Sequence, residues 1–261
     1  MPGAITAASP QHRPSATKLP QPAARMFGST GQGACVEPVL WDRAAGWRSD
    51  NAGTEAMTEY HKIQTIFFRD PETKFRTLLD GRWALPEFGY LADCEWVFTE
   101  KVDGTNIRLI WDGAKWAVGG RTDAAQIPAF LLDPLNGYAE RLGDVFGETP
   151  AVVYGEGYGS RIQKGGGNYR PDADFVAFDV RAGATWLERS GVADVAGKLG
   201  CDVVPEIGGG TLCDAIGMAR RGFDSAWGAF RAEGLIARPR VELKDRRGNR
   251  IIAKVKCKDF A

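Results

Sequence analysis

The sequence predicts an α+β fold with antiparallel sheets and flanking helices, and three observations carry that reading. From Glu95 onward, short apolar runs are bounded by turns rich in Gly and Asp. Between them lie stretches whose apolar residues recur at helical spacing. The final strand-like runs flank Arg247-Gly248-Asn249, a sequence suited to a reversal of the chain. Antiparallel strand pairs with interspersed helices define this class.

Taken in order, Glu95–Thr99 and Asn106–Trp111 read as strands, and Asp112-Gly113 turns the second into Lys115–Gly119. Pro128–Phe146 carries Phe130, Leu131, Leu135, Tyr138, Leu142 and Phe146 at helical spacing. Strands follow at Ala151–Gly155 and Asp174–Val180. Val192–Leu199 and Leu212–Arg221 read as short helices flanking a strand at Asp202–Pro205. Gly234–Ala237 is a short strand, and Val241–Lys244 with Arg250–Lys256 is expected to form the last hairpin. There are no internal repeats.

A chain of 261 residues, 44% hydrophobic and with eight tryptophans, has ample material for a packed core. It contains no apolar run near the roughly 20 residues that span a bilayer, and its start lacks the continuous apolar segment of a secretory signal. The five cysteines are scattered without a Cys-x-x-Cys, and His12 and His61 are the two histidines. That composition argues against a structural zinc site or a histidine-based triad. A reduced, cytoplasmic protein is the expectation.

Residues 1–56 are rich in Ala, Pro, Gly, Ser and Thr without a sustained period. Such a segment buries too little apolar surface to offset its ordering entropy, so it reads as a low-complexity, disordered extension preceding a domain over 57–261. Met57 precedes the first folded-looking segment. Translation starting there is the corresponding hypothesis, and an intact Met1 end in mass spectrometry of the native protein would defeat it. The formal charge is zero, yet Arg238–Asp259 holds nine basic side chains against three acidic ones. This is either a solvated hairpin or a phosphate-facing wall.

The most informative stretch is Lys101-Val102-Asp103-Gly104-Thr105-Asn106, placed where one apolar run stops and the next begins. A lysine there projects from a strand end, with Asp103-Gly104 bending the chain. A desolvated lysine loses its proton nearer neutrality than its unperturbed pKa of about 10.4 and becomes a nucleophile. Further polar residues follow at strand ends: Arg121 in Gly119-Gly120-Arg121-Thr122, Glu156 in Tyr154-Gly155-Glu156-Gly157, the run Phe175–Asp179, Glu233 in Glu233-Gly234-Leu235-Ile236, and the pair Lys254 and Lys256. Lys-x-Lys in a strand puts both ammonium groups on one face, an arrangement that favours an anion between them, and a triphosphate is the candidate.

In order and spacing these segments resemble the covalent nucleotidyltransferase superfamily of ATP-dependent ligases and capping enzymes, over roughly residues 60–261. The Thr105-Asn106 ending is closer to its RNA ligase 2-like branch, since DNA ligases and capping enzymes usually have arginine at the sixth position. The resemblance implies an ATP-grasp-like ligase adenylation domain in which Lys101 takes AMP from ATP as a lysyl-AMP intermediate. AMP then passes to a 5′-phosphate, and a 3′-hydroxyl displaces it to seal the strand. ATP, Mg²⁺ or Mn²⁺, and RNA ends are the implied cofactors and partner.

The roles that the resemblance implies are physically reasonable one by one. Glu100 would help read adenine, unless it is an exposed strand-end glutamate. Asn106 belongs to the nucleotide pocket. Arg121 would contact phosphate as a planar fork, unless it forms a surface salt bridge. Glu156 would accept a hydrogen bond from a ribose hydroxyl, with Gly155 and Gly157 permitting close approach of the ligand. Phe175 and Phe178 sit an odd number of residues apart, so one strand face can present only one of them to a pocket. The resemblance selects Phe178 as the surface on which adenine stacks, core packing being the competing reading. Glu233 would hold the divalent metal, and Lys254 and Lys256 would neutralise the phosphates. Ser160–Gly167 lacks the P-loop order and reads either as a mobile loop beside the pocket, touching polynucleotide ends, or as a connector.

The chain ends at Ala261, five residues after Lys256, where ligases of this superfamily usually continue into a domain that positions nucleic acid. Lysine adenylylation is therefore better supported than sealing. A minimal ligase, a ligase served by an accessory protein, and an enzyme that stops at AMP transfer all fit. Labelled GTP separates a guanylyl-transferring capping enzyme. A DNA ligase and an inactive end-binding module are the remaining alternatives.

Overall fold

A computed structural model describes residues 59–261. The expectations for residues 1–56 and for Met57 lie outside them. The chain begins with β1 (Gln64–Thr65), β2 (Phe67–Arg69), β3 (Leu78–Trp83) and α1 (Pro86–Tyr90). Next come β4 (Trp96–Glu100), β5 (Thr105–Trp111), β6 (Trp116–Gly119), α2 (Ala129–Ala139), α3 (Leu142–Phe146) and β7 (Ala151–Gly159). Then follow β8 (Ala173–Ala182), β9 (Thr185–Trp186), α4 (Arg189–Leu199), β10 (Asp202–Val203) and β11 (Glu206–Gly210). The chain closes with α5 (Leu212–Arg221), β12 (Gly234–Pro239) and β13 (Ala253–Lys256).

The strands form two principal sheets. The first has the order β1-β13-β12-β4-β11, antiparallel except for the parallel β1–β13 edge. The second has the order β10-β8-β7-β5-β6, antiparallel except at β10–β8, with β9 paired to β8. β2 and β3 make a separate hairpin. This is the α+β architecture, with mainly antiparallel sheets, that the turn-bounded runs predict.

Side-chain alternation sorts each sheet into a core face and a polar face. On the first sheet Trp96, Phe98, Leu235, Ala237, Ala253 and Val255 pack with Leu212 and Ile216 of α5 and with Phe88 of α1. α5 starts cleanly because Thr211 and Asp214 form a reciprocal capping box. The intervening residues point the other way. Thr99 lies opposite Ile236, and Ile236 opposite Lys254. On the second sheet Ile107, Leu109, Val153, Phe175 and Val180 pack under α2, α3 and α4. The two cores thus lie on separate faces, and the polar faces are left to line a cavity.

Three local expectations need correction. The run Arg250–Lys256 does not pair along its length with Val241–Lys244. The chain does reverse there, with a bridge between Lys244 and Arg250, but Ala253–Lys256 pairs with β12. Ala253 and Val255 gain core burial in that position, whereas Val241 stays 70% exposed. The strand at Asp202–Pro205 stops at Val203, as suits a proline that has no N–H for the ladder. Gly155 and Gly157 face the core rather than a ligand. A Cβ on Gly155 would lie 2.3 Å from the Phe175 ring, and one on Gly157 would lie 2.5 Å from Leu131 Cδ2.

Candidate active site

The polar faces enclose a cavity of ≈ 240 Å³. β4 ends at Glu100, and Lys101 leaves the sheet with its backbone N–H donating to Gly234 O at 2.9 Å. That bond carries Lys101 past the start of β12, beside Glu233. Lys101 Nζ donates to Glu233 Oε2 at 2.6 Å, and Lys256 Nζ lies 2.6 Å from Glu233 Oε1. One carboxylate therefore bridges two ammonium groups supplied from opposite ends of the domain sequence. Burial pushes the Glu233 carboxyl up, but Lys101 and then Lys256 outweigh it, and the net result is a carboxyl held below the usual range.

Lys254, two residues before Lys256 and on the same strand face, lines the cavity and has no ion-pair partner among the described residues. Burial first, then Lys256, Lys101, Arg69 and Lys62, pull its ammonium below the usual lysine range. The expected anion between the two lysines of the strand is thus replaced at Lys256 by Glu233, while Lys254 faces the cavity. The basic run Arg238–Asp259 divides in the same way. Arg238 and Arg250 turn inward to Asp179, and Arg240 pairs with Glu95 on the surface.

The second sheet supplies the opposite wall. Asn106 on β5 lies directly across from Glu156 on β7, and their side chains are hydrogen-bonded. Burial is the chief cause that pushes the Glu156 carboxyl up to about 8. Lys101 and the bond from Asn106 pull it down, while Glu233 and Asp103 add to the rise. Gly104 lets the Lys101–Thr105 loop lie against this strand, because a Cβ there would stand 2.2 Å from Gly157 O and 2.6 Å from Glu156 Cγ. Its role is close packing; the left-handed backbone that an Asp-Gly turn often needs is absent, since Gly104 does not have a positive φ. Gln163 of the Ser160–Gly167 loop donates to Gly104 O at 3.0 Å, tying that loop to the Lys101–Thr105 loop.

Glu100 is 1% exposed, which removes the reading of a solvated strand-end glutamate. Ala226 N donates to its Oε2 at 2.7 Å, and burial raises its carboxyl against the opposing bonds from Ser225 and Ala226. Arg121 lines the cavity and is exposed.

Phe178 lines the cavity and Phe175 is fully buried in the α-helical core. The register between β7 and β8 slips here: Tyr154 faces Asp179, but Gly155 faces Ala177. Phe178 is the extra residue of this bulge. Ala177 and Val180 consequently share a core although three residues apart, and both Phe178 and Asp179 turn toward the polar side.

Asp179, which the sequence reading left without a role, is 0% exposed. It accepts from Tyr60 Oη at 2.7 Å and from Arg250 Nη1 at 2.5 Å, with Arg238 Nη1 at 3.1 Å. Arg250 is held in turn by Glu242 and stacked on the Trp186 ring. Tyr60, His61 and Lys62 also line the cavity and were not foreseen. No turn, alternation or motif marks them in the sequence.

Lys101, Glu100, Asn106, Arg121, Glu156, Phe178 and Lys254 therefore share one cavity, with Glu233 and Lys256 joined to it through Lys101. No group of three His, Cys, Asp or Glu side chains forms a metal cage among the described residues. A hard divalent cation bound through one carboxylate, water and phosphate oxygens needs no such cage, and Glu233 is a carboxylate of that kind beside Lys101. No helix among the described residues is long and apolar enough to cross a membrane.

Comparison with known proteins gives a consistent picture. The family model described as RNA ligase matches residues 94–256. No curated protein matches the sequence. Among solved structures, a mutant of Naegleria gruberi RNA ligase with ATP and Mn aligns at a TM-score of 0.53 and 18% identity, over 67% of this chain and 54% of that one. A second mutant of that enzyme, with AMP and Mn, aligns at 0.54 and 16%, over 74% and 56%. The fold is shared, and this chain spans just over half the length of the structures it matches.

Proposed function

Because the chain belongs to the RNA ligase family, we propose that it is an ATP-dependent RNA ligase that works through a lysyl-AMP intermediate at Lys101. The observation that carries this reading is the bridge Lys101–Glu233–Lys256, with both contacts at 2.6 Å, beside a cavity that also presents Phe178, Glu156 and Lys254. ATP and Mn or AMP and Mn accompany the related Naegleria structures, and ATP with a divalent metal is the corresponding proposal here.

Lys101 Nζ attacks the α-phosphorus, forming an N–P bond as the bond to the bridging oxygen breaks and pyrophosphate leaves with the electron pair. The amine must lose its proton to solvent before attack, because Glu233, held ionised by Lys101 and Lys256, is a weak base. A triphosphate offers Lys101 and Lys256 an alternative anion, so the Glu233 carboxylate becomes available as a metal ligand. The chemistry that a divalent cation supplies there is neutralisation of phosphate charge. Lys254 and Lys256 hold the phosphates as fixed cations, the main protein contribution in phosphoryl transfer. Phe178 stacks on the base, Asn106 and Glu156 meet the ribose, and Arg121 approaches phosphate from the rim. AMP then passes to a 5′-phosphate and is displaced by a 3′-hydroxyl, joining RNA ends either by this chain alone or with an accessory protein.

The test is incubation with α-labelled ATP and, separately, labelled GTP. Labelling by ATP that Lys101→Ala abolishes is the expected result. A panel of 5′-phosphorylated RNA and DNA ends then identifies the acceptor. Label retained by Lys101→Ala, or taken from neither nucleotide by the wild type, refutes the proposal.

A further inference from the structure

The segment between α5 and β12, residues 222–233, contains none of the residues that carry the resemblance before its last one, Glu233. It closes on itself as a compact loop. Ala232 N donates to Phe223 O at 3.0 Å, Ser225 N to Phe230 O at 2.8 Å, and Asp224 bridges to Arg231. Trp227 N donates to Ser225 Oγ at 3.1 Å, which fixes the tip.

This loop grips the chain on both sides of Lys101. On the N-terminal side, Ala226 N donates to Glu100 Oε2 at 2.7 Å, and Ser225 bonds the same carboxylate. One oxygen of the buried Glu100 side chain is thus committed to the loop. On the C-terminal side, the Phe230 and Trp227 rings meet Tyr169 edge-on, with centroids 4.8 and 5.6 Å away. Tyr169 Oη accepts from Asp103 N at 3.2 Å. Val102, between Lys101 and Asp103, is buried in the same aromatic cluster. The loop then runs into Glu233, which lies 2.6 Å from Lys101 Nζ, and into Gly234, whose carbonyl accepts from Lys101 N at 2.9 Å.

A lysine side chain is long and flexible, and attack in line requires its nitrogen within about 3–3.5 Å of the reacting atom. Fixing the backbone on either side of Lys101, from the same loop that carries Glu233, restricts where that nitrogen can go. We infer that the loop is a clamp on Lys101, in which Glu100, through Ala226, and Tyr169, through Asp103, are positioning residues for the attack. The inference rests on the reading of Lys101 as the attacking amine, and it gives Glu100 a task other than contact with the base.

The test is single-turnover self-labelling of the full chain by α-labelled ATP, with the rate at saturation and the half-saturating concentration read separately. It is repeated with purine riboside triphosphate, which lacks the 6-amino group that a base-reading carboxylate would bind. Tyr169→Phe keeps the ring between Trp227 and Phe230 and leaves Asp103 N–H without its acceptor. Its saturated rate should fall about tenfold at an unchanged half-saturating concentration. Glu100→Leu deprives two loop donors of their acceptor and should lower the saturated rate about a hundredfold, equally with both triphosphates. Glu100→Gln returns an acceptor for Ala226 N–H and should recover part of that loss. A wild-type rate in Tyr169→Phe, a Glu100→Leu loss confined to ATP or to the half-saturating concentration, or a Gln variant no faster than the Leu variant overturns the clamp. Tyr169→Phe decides alone if Glu100→Leu fails to fold. A wild type that takes no label from either triphosphate overturns instead the reading of Lys101 on which the clamp rests.

Discussion

Raising the pH from about 5.5 to 9 destabilises this protein through one carboxyl group, Glu156. An ordinary glutamate titrates near 4.5, and burial between β5 and β7 is the main cause that moves Glu156 up to about 8. Between about 4.5 and 8 the folded chain therefore keeps a proton that the unfolded chain has already released. Stability falls wherever the folded state binds more protons, so the loss begins above 4.5 and levels off above about 8. Each tenfold change in proton affinity is worth about 1.4 kcal/mol, which makes the full effect on the order of 5 kcal/mol. For a domain of this size that is a fall in Tm on the order of 10 °C. Urea unfolding followed by circular dichroism, repeated from pH 5.5 to 9 on wild type and Glu156→Gln, isolates the contribution. The glutamine retains the shape and the bond with Asn106 but carries no charge, so the stability difference should shift in the variant's favour by about 3 kcal/mol between pH 5.5 and pH 9. Parallel curves over the whole range would refute the reasoning, because other titrating groups are common to both chains.

Two further outcomes follow from contacts beneath the site. Gly104→Ala forces a Cβ against Gly157 O and Glu156 Cγ, so the nucleophile loop must move, and lysine labelling should fall by roughly a hundredfold, as a shift of about 1 Å at a reacting group commonly does; an unchanged rate would show that the loop does not need this packing. Asp179→Asn removes the charge that Arg238 and Arg250 share in a fully buried position and should cost about 3–5 kcal/mol in denaturant unfolding; a cost below about 1 kcal/mol would mean that Glu242 alone satisfies the pair.

Much of this arrangement was legible because its signals are local. The alternation Lys254-Val255-Lys256 specifies two faces of one strand, and the structure uses both: Val255 enters the core, Lys254 lines the cavity and Lys256 meets Glu233. Leu212–Arg221 is the helix its apolar spacing predicts, with the Thr211–Asp214 cap at its start. What escaped has no local signature. The strap Tyr60–Lys62 gains its place from a hydroxyl bond to a residue 119 positions away. β11 runs through Gly208, Gly209 and Gly210, which carry no side chains to alternate. The odd spacing of Phe175 and Phe178 placed them on opposite sides, but the bulge at Phe178 also turned Asp179 inward, and period two alone would have sent it to the core face. The glycines around Glu156 drew a ligand-based explanation because sequence shows that a side chain is missing without showing which face lacks it.

The site's unmet chemistry points to the kind of molecule that completes it. Lys254 is a half-buried cation without a carboxylate partner among the described residues, which calls for an anion. Phe178 presents a ring at a bulge between the sheets, which calls for a flat apolar surface. A plain phosphate meets the first demand and a plain aromatic ligand the second. On the proposed function a nucleotide meets both, with its base at the aromatic end, its ribose against Asn106 and Glu156, and its phosphates among the lysines. In the proposed function that ordering makes Lys101, tethered to Glu233 between the carboxyl wall and the cationic strand, the nucleophile for the phosphate nearest the ribose.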